Sequence, residues 1–160
     1  MTEIANYHYI FFWIGTSIYL LYNILIVSIY GVLPSVSESF YRLPKKYNFL
    51  FILFCWFFPL PLFVATEVPL IFGAAAGIAF VGAAAKFYDG FVGRVHFTAA
   101  IGAVILSQLA IIFNFHFWEM SAVFTVLSIL VIKSENRVFW IEQFAFLSII
   151  ITIFLSMYIW

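Results

Sequence analysis

Three short segments of this sequence carry side chains whose types could do chemistry. The run from Pro34 to Ser39 contains three hydroxyl groups beside a carboxylate, a second segment follows near residue 90, and a lone glutamate lies near residue 142. Imidazole is suited to acid–base work near neutral pH, and basic side chains bind phosphate. The candidate binding residues are Ser35, Ser37, Asp89, Arg94, His96 and Glu142.

The composition decides where such a site must sit. Of the 160 residues, 66% are apolar and 9% are charged, and the mean hydropathy is +1.14. An ordinary soluble domain has about 45–50% apolar and about 25% charged residues. The composition excludes a soluble globular domain, a disordered chain, a disulfide scaffold and a nucleic-acid binder. It indicates an integral membrane protein.

Polar breaks divide the chain into six apolar runs, each close to the roughly 20 residues that a membrane-spanning helix needs. A transmembrane barrel would instead show alternating segments of about ten residues. We therefore predict an all-α, polytopic membrane protein, a six-transmembrane-helix bundle that forms a single domain over residues 1–160. The predicted spans are Tyr9–Leu33, Asn48–Thr66, Val68–Lys86, His96–Phe115, Phe117–Ile132 and Val138–Tyr158.

The distribution of charge predicts the orientation of this bundle. With six spans, all seven Lys and Arg residues fall in or next to the segments 34–47, 86–95 and 133–137, which share one side. The other side holds acidic residues such as Glu67 and Glu119 and no basic residue. Basic loops stay in the cytoplasm, so both termini are predicted on the non-cytoplasmic side. We expect a multi-pass protein, in the plasma membrane or, in a bacterium, the inner membrane.

This topology brings the candidate residues to the cytoplasmic interface, where they could bind a phospholipid headgroup, hold a metal or do acid–base work through His96. The alternative is that they are ordinary interfacial polar residues and topology signals. Glu142 lies about one turn inside the sixth span, where an ionisable group is costly and has either a structural partner or a function. Gln108, in the middle of the fourth span, predicts an interhelical hydrogen bond.

The opposite side offers weaker signals. His8, Glu67, His116 and Glu119 could supply metal ligands, but no dense ligand motif accompanies them, so no metal and no cofactor are predicted. No nucleophile-elbow, phosphate-loop or dinucleotide motif occurs. The sequence therefore contains no complete catalytic motif, and a lipid hydrolase or acyl-transfer role stays open.

Two stretches resemble a known family. The run Leu33-Pro-Ser-Val-Ser-Glu38, followed by Pro44 and an aromatic-rich span, resembles the "LPSIS" loop of the Frag/DRAM/Sfk membrane proteins. The small-residue span ending at Lys86-Phe87, followed by Val95-His96-Phe97, is similar to that family's second conserved stretch. The resemblance covers roughly residues 30–112 and implies six spans, a role in lipid remodelling or trafficking, and importance for Ser35, Ser37 and His96.

We therefore predict a small integral membrane protein of Frag/DRAM type that binds or helps remodel lipid at the cytoplasmic interface. The alternative is a non-enzymatic structural or accessory subunit of a membrane complex, and a transporter or channel ranks third because few polar residues lie at depth. The expected partners are membrane lipids, with other membrane proteins or a second copy of the chain as further candidates, and no nucleic acid.

Overall fold

The computed structural model describes the backbone of residues 2–159 and the side chains of residues 7–158. Within that range every regular element is a helix, and no strand occurs. The helices are α1 (Thr2–Tyr30), α2 (Ser39–Arg42), α3 (Phe49–Phe57), α4 (Pro59–Thr66), α5 (Pro69–Ala83), α6 (Gly90–Phe113), α7 (Trp118–Leu130) and α8 (Arg137–Ile159). The predicted all-α class is confirmed.

Four helical segments are long and apolar enough to cross a membrane, namely Tyr7–Tyr30, Phe49–Thr66, Gly90–Phe113 and Arg137–Tyr158. The second of these consists of α3 and α4, which meet at Phe58 because Pro59 has no backbone N–H to continue the hydrogen-bond ladder. The apolar helices α5 and α7 are shorter, with 15 and 13 residues. At 1.5 Å per residue they extend about 22 and about 20 Å. The set is compatible with a helical membrane bundle.

Helices α1, α3, α4, α5, α6 and α8 form a ring around an apolar core. Helix α1 packs on α3 and α4, these pack on α5, α5 packs on α6, α6 on α8, and α8 closes the ring on α1. Helix α7 packs on α6 and α8. Phe58, Leu62, Ile111 and Ile153 are buried inside, while large apolar side chains such as Leu21 cover the outer surface. An apolar outer surface suits contact with lipid.

Small residues let α5 approach its neighbours closely. A Cβ atom on Gly77 would lie 3.0 Å from the Ala99 carbonyl oxygen of α6, and one on Gly82 would lie 2.7 Å from the Cys55 Cβ atom of α3. Close backbone approach of this kind increases dispersion contact between helices where no hydrophobic effect operates. The alanine- and glycine-rich sequence of α5 therefore serves packing along its length.

Three connecting segments meet at one end of the bundle, which we call the basic end. The segment after α1 contacts both the α5–α6 connection, through Tyr41 and Tyr88, and the start of α8, through Pro34 and Phe139. All seven Lys and Arg residues of the chain lie in these segments or in the first two turns of the helices that follow. At the other end, Tyr7 donates a hydrogen bond to Glu67, and Tyr9 donates to the Met157 carbonyl.

The close packing of the turn that leads into α6 can be tested by substitution. A Cβ atom on Gly93 would lie 2.3 Å from the backbone oxygen of Phe87, whereas one on Gly102 of the same helix meets nothing within 4 Å. We expect Gly93→Ala to lower the free energy of unfolding by about 1–3 kcal/mol, as overpacking commonly does. Gly102→Ala should be neutral or slightly stabilising, since alanine is the better helix former. Thermal unfolding in detergent, followed by circular dichroism, compares the two, and equal midpoints would contradict the described turn.

Candidate functional site

Residues 34–39, which we call the serine loop, follow α1 at the basic end and are held by the first turns of α8. The backbone N–H of Phe139 donates to the Pro34 carbonyl at 3.1 Å. The backbone N–H of Val36 donates to the Glu142 carboxylate, at 2.7 Å from Oε2. Glu142 therefore has a structural partner in the loop. The Glu142 side chain also lines the cavity described below.

Helix α1 holds the other end of the serine loop. The Ser39 hydroxyl donates to the Val36 carbonyl at 2.6 Å, which leaves its oxygen to accept the Tyr22 hydroxyl proton at 2.6 Å. Ser39 is completely buried. Buried hydroxyl groups need such partners because an unmade hydrogen bond costs the desolvation of the group. This chain of two hydrogen bonds ties the loop to the helix that precedes it.

The α5–α6 connection covers the loop from outside. The exposed hydroxyl of Tyr88 donates to the Glu38 carboxylate at 2.8 Å, and Arg42 lies 3.9 Å from the other Glu38 oxygen. The hydrogen bond to Glu38 raises the pKa of the Tyr88 phenol above its ordinary value, because the carboxylate stabilises the protonated hydroxyl. The Tyr88 hydroxyl thus remains a donor throughout the neutral range.

His96, in the second turn of α6, contacts the loop directly. Its Nδ1 lies 3.1 Å from each of the carbonyl oxygens of Val81 and Ala84, and its Nε2 lies 3.0 Å from the Ser37 hydroxyl oxygen. Carbonyl oxygens only accept, so Nδ1 carries the proton of the neutral imidazole. Nε2 is then an acceptor, and Ser37 donates its hydroxyl proton to it. Both side chains are buried, with 2% of His96 and 5% of Ser37 exposed.

Aromatic rings shield this histidine. The Phe87 ring lies at a tilt against the imidazole, with 4.8 Å between ring centroids, and Phe97 contacts its edge at 5.5 Å. The Gly93 position makes this possible, because only a residue without a side chain leaves room for the Phe87 backbone. The imidazole is therefore fixed in position and removed from bulk water.

A cavity of about 450 Å³ opens in front of Ser37 and His96, between α6 and α8. Its walls are mainly apolar, and its outer rim includes Phe97, Ile101 and Ile105, which are exposed on the bundle surface. Its polar wall contains four of the six predicted site residues, namely Ser35, Ser37, His96 and Glu142. The arrangement is an apolar space that is entered from the side of the bundle and ends at a serine–histidine pair.

The other two predicted site residues lie elsewhere. Asp89 is exposed at the start of α6, where its backbone oxygen accepts the Gly93 N–H at 2.6 Å. Arg94 faces a separate shallow groove beside Phe80 and Phe91. Among the described residues neither side chain forms a hydrogen bond with Ser37 or His96, and neither lines the cavity. The structure thus divides the predicted set into a cavity group and two residues on the outer edge of the basic end.

Several contributors to the site carry no clear sequence signal. Tyr22 stands out in the sequence only as a polar residue at depth in the first span. The carbonyls of Val81 and Ala84 act through the backbone, so no residue type marks them. In the sequence, Tyr88 stands out only as an interfacial aromatic and Phe87 only as part of the family-like stretch. Their contacts with Glu38 and His96 follow from the turn that precedes α6.

Gln108 and His8, which lie away from this site, have local partners. Gln108 donates to Ser148 of α8 at 3.0 Å and accepts from Ser121 of α7 at 2.9 Å, which confirms the expected interhelical hydrogen bonding. At the opposite end, His8 contacts the Ala65 carbonyl at 2.9 Å. Within the part of the chain that the structure describes, no three His, Cys, Asp or Glu side chains cluster closely enough to hold a metal ion.

Comparison with known proteins adds no assignment: no protein family, curated protein or solved structure matches this chain significantly.

The Glu142–Val36 hydrogen bond yields a prediction about the serine loop. Glu142→Ala leaves the buried Val36 N–H without an acceptor, and we expect it to lower the free energy of unfolding by about 1–3 kcal/mol. Amide hydrogen exchange across residues 34–39 should become faster. Glu142→Gln keeps a carbonyl oxygen at the same place and should retain most of the protection, as should Glu135→Ala in an exposed loop. Unchanged exchange in Glu142→Ala would show that α8 does not hold the loop.

Proposed function

We propose that this protein binds a membrane lipid, with an acyl chain in the cavity between α6 and α8 and the headgroup at the basic end. The observation that carries the proposal is the cavity itself, which joins an apolar space on the side of the bundle to a polar wall. Its volume of about 450 Å³ falls in the range of roughly 300–1,000 Å³ typical of small-molecule sites.

The chemistry of the cavity favours an amphiphile over a water-soluble ligand. The rim formed by Phe97, Ile101 and Ile105 gives an acyl chain apolar contact and offers no side-chain hydrogen-bond partner to a water-soluble ligand. At the polar end, Glu38 and Arg42 present opposite charges side by side, and Lys86 lies on the neighbouring connection. Cationic side chains at this level suit a lipid phosphate.

The proposal includes a membrane topology. Six crossings, made by α1, α3 with α4, α5, α6, α7 and α8, keep every Lys and Arg residue at one face. The positive-inside tendency then puts the basic end in the cytoplasm and both termini on the other side. The short lengths of α5 and α7 are accommodated in a bilayer that thins locally or by flanking residues that reach the interface.

The resemblance to the Frag/DRAM/Sfk family supports the cavity as the binding site. The residues that it singles out, Ser35, Ser37 and His96, all line the cavity. We propose membership of that family on this basis, together with a role in lipid recognition or remodelling.

Filling the cavity tests lipid binding. Ala100 lines it, so Ala100→Phe should occupy the space that an acyl chain needs, whereas Ala122→Phe adds the same bulk on the exposed face of α7. Protein in vesicles of phosphatidylcholine and phosphatidylglycerol is irradiated with a trace phospholipid that carries a diazirine in its acyl chain. We expect crosslinks to residues 97–105 and 138–142, reduced at least about fivefold by Ala100→Phe.

The same experiment separates a bound lipid from lipid that merely surrounds the bundle. Surrounding lipid would label all outward faces equally, and Ala100→Phe and Ala122→Phe would then give the same yields. That result would contradict the proposed site. Loss of labelling in Ala100→Phe alone, with unchanged thermal stability, is the expected result.

The topology can be tested by labelling single cysteines. The chain has one cysteine, the buried Cys55, so a single substitution gives a cysteine-free background. In a Cys55→Ala background, single cysteines are placed by Lys45→Cys at the basic end and Glu119→Cys at the other end. A membrane-impermeant maleimide should label Glu119→Cys in intact cells and label Lys45→Cys only after permeabilisation. Labelling of both, or the reverse pattern, would overturn the proposed orientation.

A further inference from the structure

We propose that Ser37 and His96 form a nucleophile–base pair that hydrolyses a carboxylic ester of a glycerolipid held in the cavity. The inference rests on the proposed lipid binding and adds a reaction to it. No local motif predicts that these two side chains meet, because they are 59 positions apart and come together only through the fold.

The geometry of the pair fits the first step. The 3.0 Å separation between His96 Nε2 and the Ser37 hydroxyl oxygen is within the roughly 2.6–3.2 Å expected of a nucleophile and its general base. The hydrogen bonds from Nδ1 to Val81 and Ala84 fix the tautomer in which Nε2 is free to take a proton. The pair thus rests in the protonation state that the reaction requires.

The end of α5 supplies the third element. The last hydrogen bond of its backbone runs from the Ala84 N–H to the Phe80 carbonyl, so the Val81 and Ala84 carbonyls lie beyond the helical ladder. Carbonyls at a helix C-terminus carry partial negative charge. They orient the imidazole and stabilise the positive charge that it gains, which is the role that a buried aspartate has in serine hydrolases.

The serine loop holds Ser37 in place. Its neighbours are fixed on both sides, Val36 by the Glu142 carboxylate and Ser39 by Tyr22. A nucleophile must be held within about 0.5 Å of its productive position, and such support from surrounding hydrogen bonds provides it. Ser37 also lines the cavity, so its oxygen can reach a bound ligand.

The reaction balances with water as the only co-reactant. The Ser37 oxygen forms a bond to the ester carbonyl carbon while its proton passes to His96 Nε2. The carbon–oxygen bond to the glycerol then breaks, and the departing oxygen takes that proton and leaves as a lysolipid alcohol. Water attacks the acyl-serine ester, His96 accepts its proton and returns it to Ser37, and a fatty acid is released.

The position of the pair favours an ester at the headgroup end of a lipid. Ser37 lies in the connection after α1, and His96 is six residues into α6, about 9 Å from its start at 1.5 Å per residue. Ester groups of glycerolipids lie in the interfacial region, outside the hydrocarbon core of about 30 Å. The acyl chain can then follow the apolar wall toward Ile101 and Ile105.

Two substitutions separate a reactive pair from a purely structural one. His96→Asn keeps a side-chain N–H for the α5 carbonyls but has no base at the Nε2 position. Ser37→Ala removes the nucleophile, while the control Ser156→Ala removes a hydroxyl that donates to the Ile153 carbonyl in α8, away from the cavity. General-base and nucleophilic contributions of about a hundredfold or more are expected for the first two variants.

The first readout is a fluorophosphonate probe that phosphonylates activated serines. In the wild-type protein we expect mass spectrometry to find the probe on Ser37. Labelling should vanish in Ser37→Ala, fall about a hundredfold in His96→Asn and persist in Ser156→Ala. No labelling of folded wild-type protein, or equal labelling in His96→Asn, would overturn the proposal.

The second readout is release of labelled fatty acid from phosphatidylcholine and phosphatidylglycerol vesicles, measured beside the diazirine crosslink. Ser37→Ala should release none and still crosslink lipid in the cavity. A wild-type protein that crosslinks lipid but releases no fatty acid would overturn the reaction and leave the binding proposal standing. A wild-type protein that does not crosslink would overturn lipid binding, and the reaction with it.

Discussion

The serine loop must satisfy its polar backbone and side-chain groups inside an otherwise helical and apolar protein, and the basic end is built around that requirement. Polar groups that protein covers need hydrogen-bond partners, because an unmade bond costs the desolvation of the group. Here α1, α6 and α8 each supply one hydrogen-bonding side chain, namely Tyr22, His96 and Glu142. The hydrogen bonds therefore determine how these helices meet and where the space between α6 and α8 opens.

The same requirement explains why a histidine and a glutamate lie inside apolar helices. Each would be costly without a partner, and each finds one in the loop. A histidine satisfied on both ring nitrogens could serve structure alone. The cavity distinguishes this histidine, because it gives the Ser37–His96 hydrogen bond access to a ligand and places apolar walls where an acyl chain would lie.

Much of the fold was predictable because a membrane-spanning helix is indicated by the summed hydropathy of about 20 consecutive residues. Hydropathy alone places all six apolar helical segments, and the proline at position 59 marks the interruption between α3 and α4. The predicted start of α6 was less accurate. The helix begins at Gly90, six residues before the predicted start at His96, because Arg94 is exposed on the helix surface and so can lie within the helix. Among the site residues, the proximity of Ser35, Ser37, His96 and Glu142 could be predicted because the topology brings all four to the basic end. The separation of Asp89 and Arg94 from it depends on helix rotation, and the carbonyl partners of His96 belong to the backbone, so neither could be read from residue types.

Nitrogen-15 NMR of the histidine side chains in lipid nanodiscs tests the central interaction most directly. The chain has three histidines, and the His96→Asn spectrum identifies the resonances of His96. We predict that Nδ1 is protonated, that its proton exchanges slowly with water, and that Nε2 has the shift of an acceptor, changed in Ser37→Ala. A proton on Nε2 in the neutral ring, or rapid exchange of the Nδ1 proton, would contradict the arrangement of the serine loop from which both proposals follow.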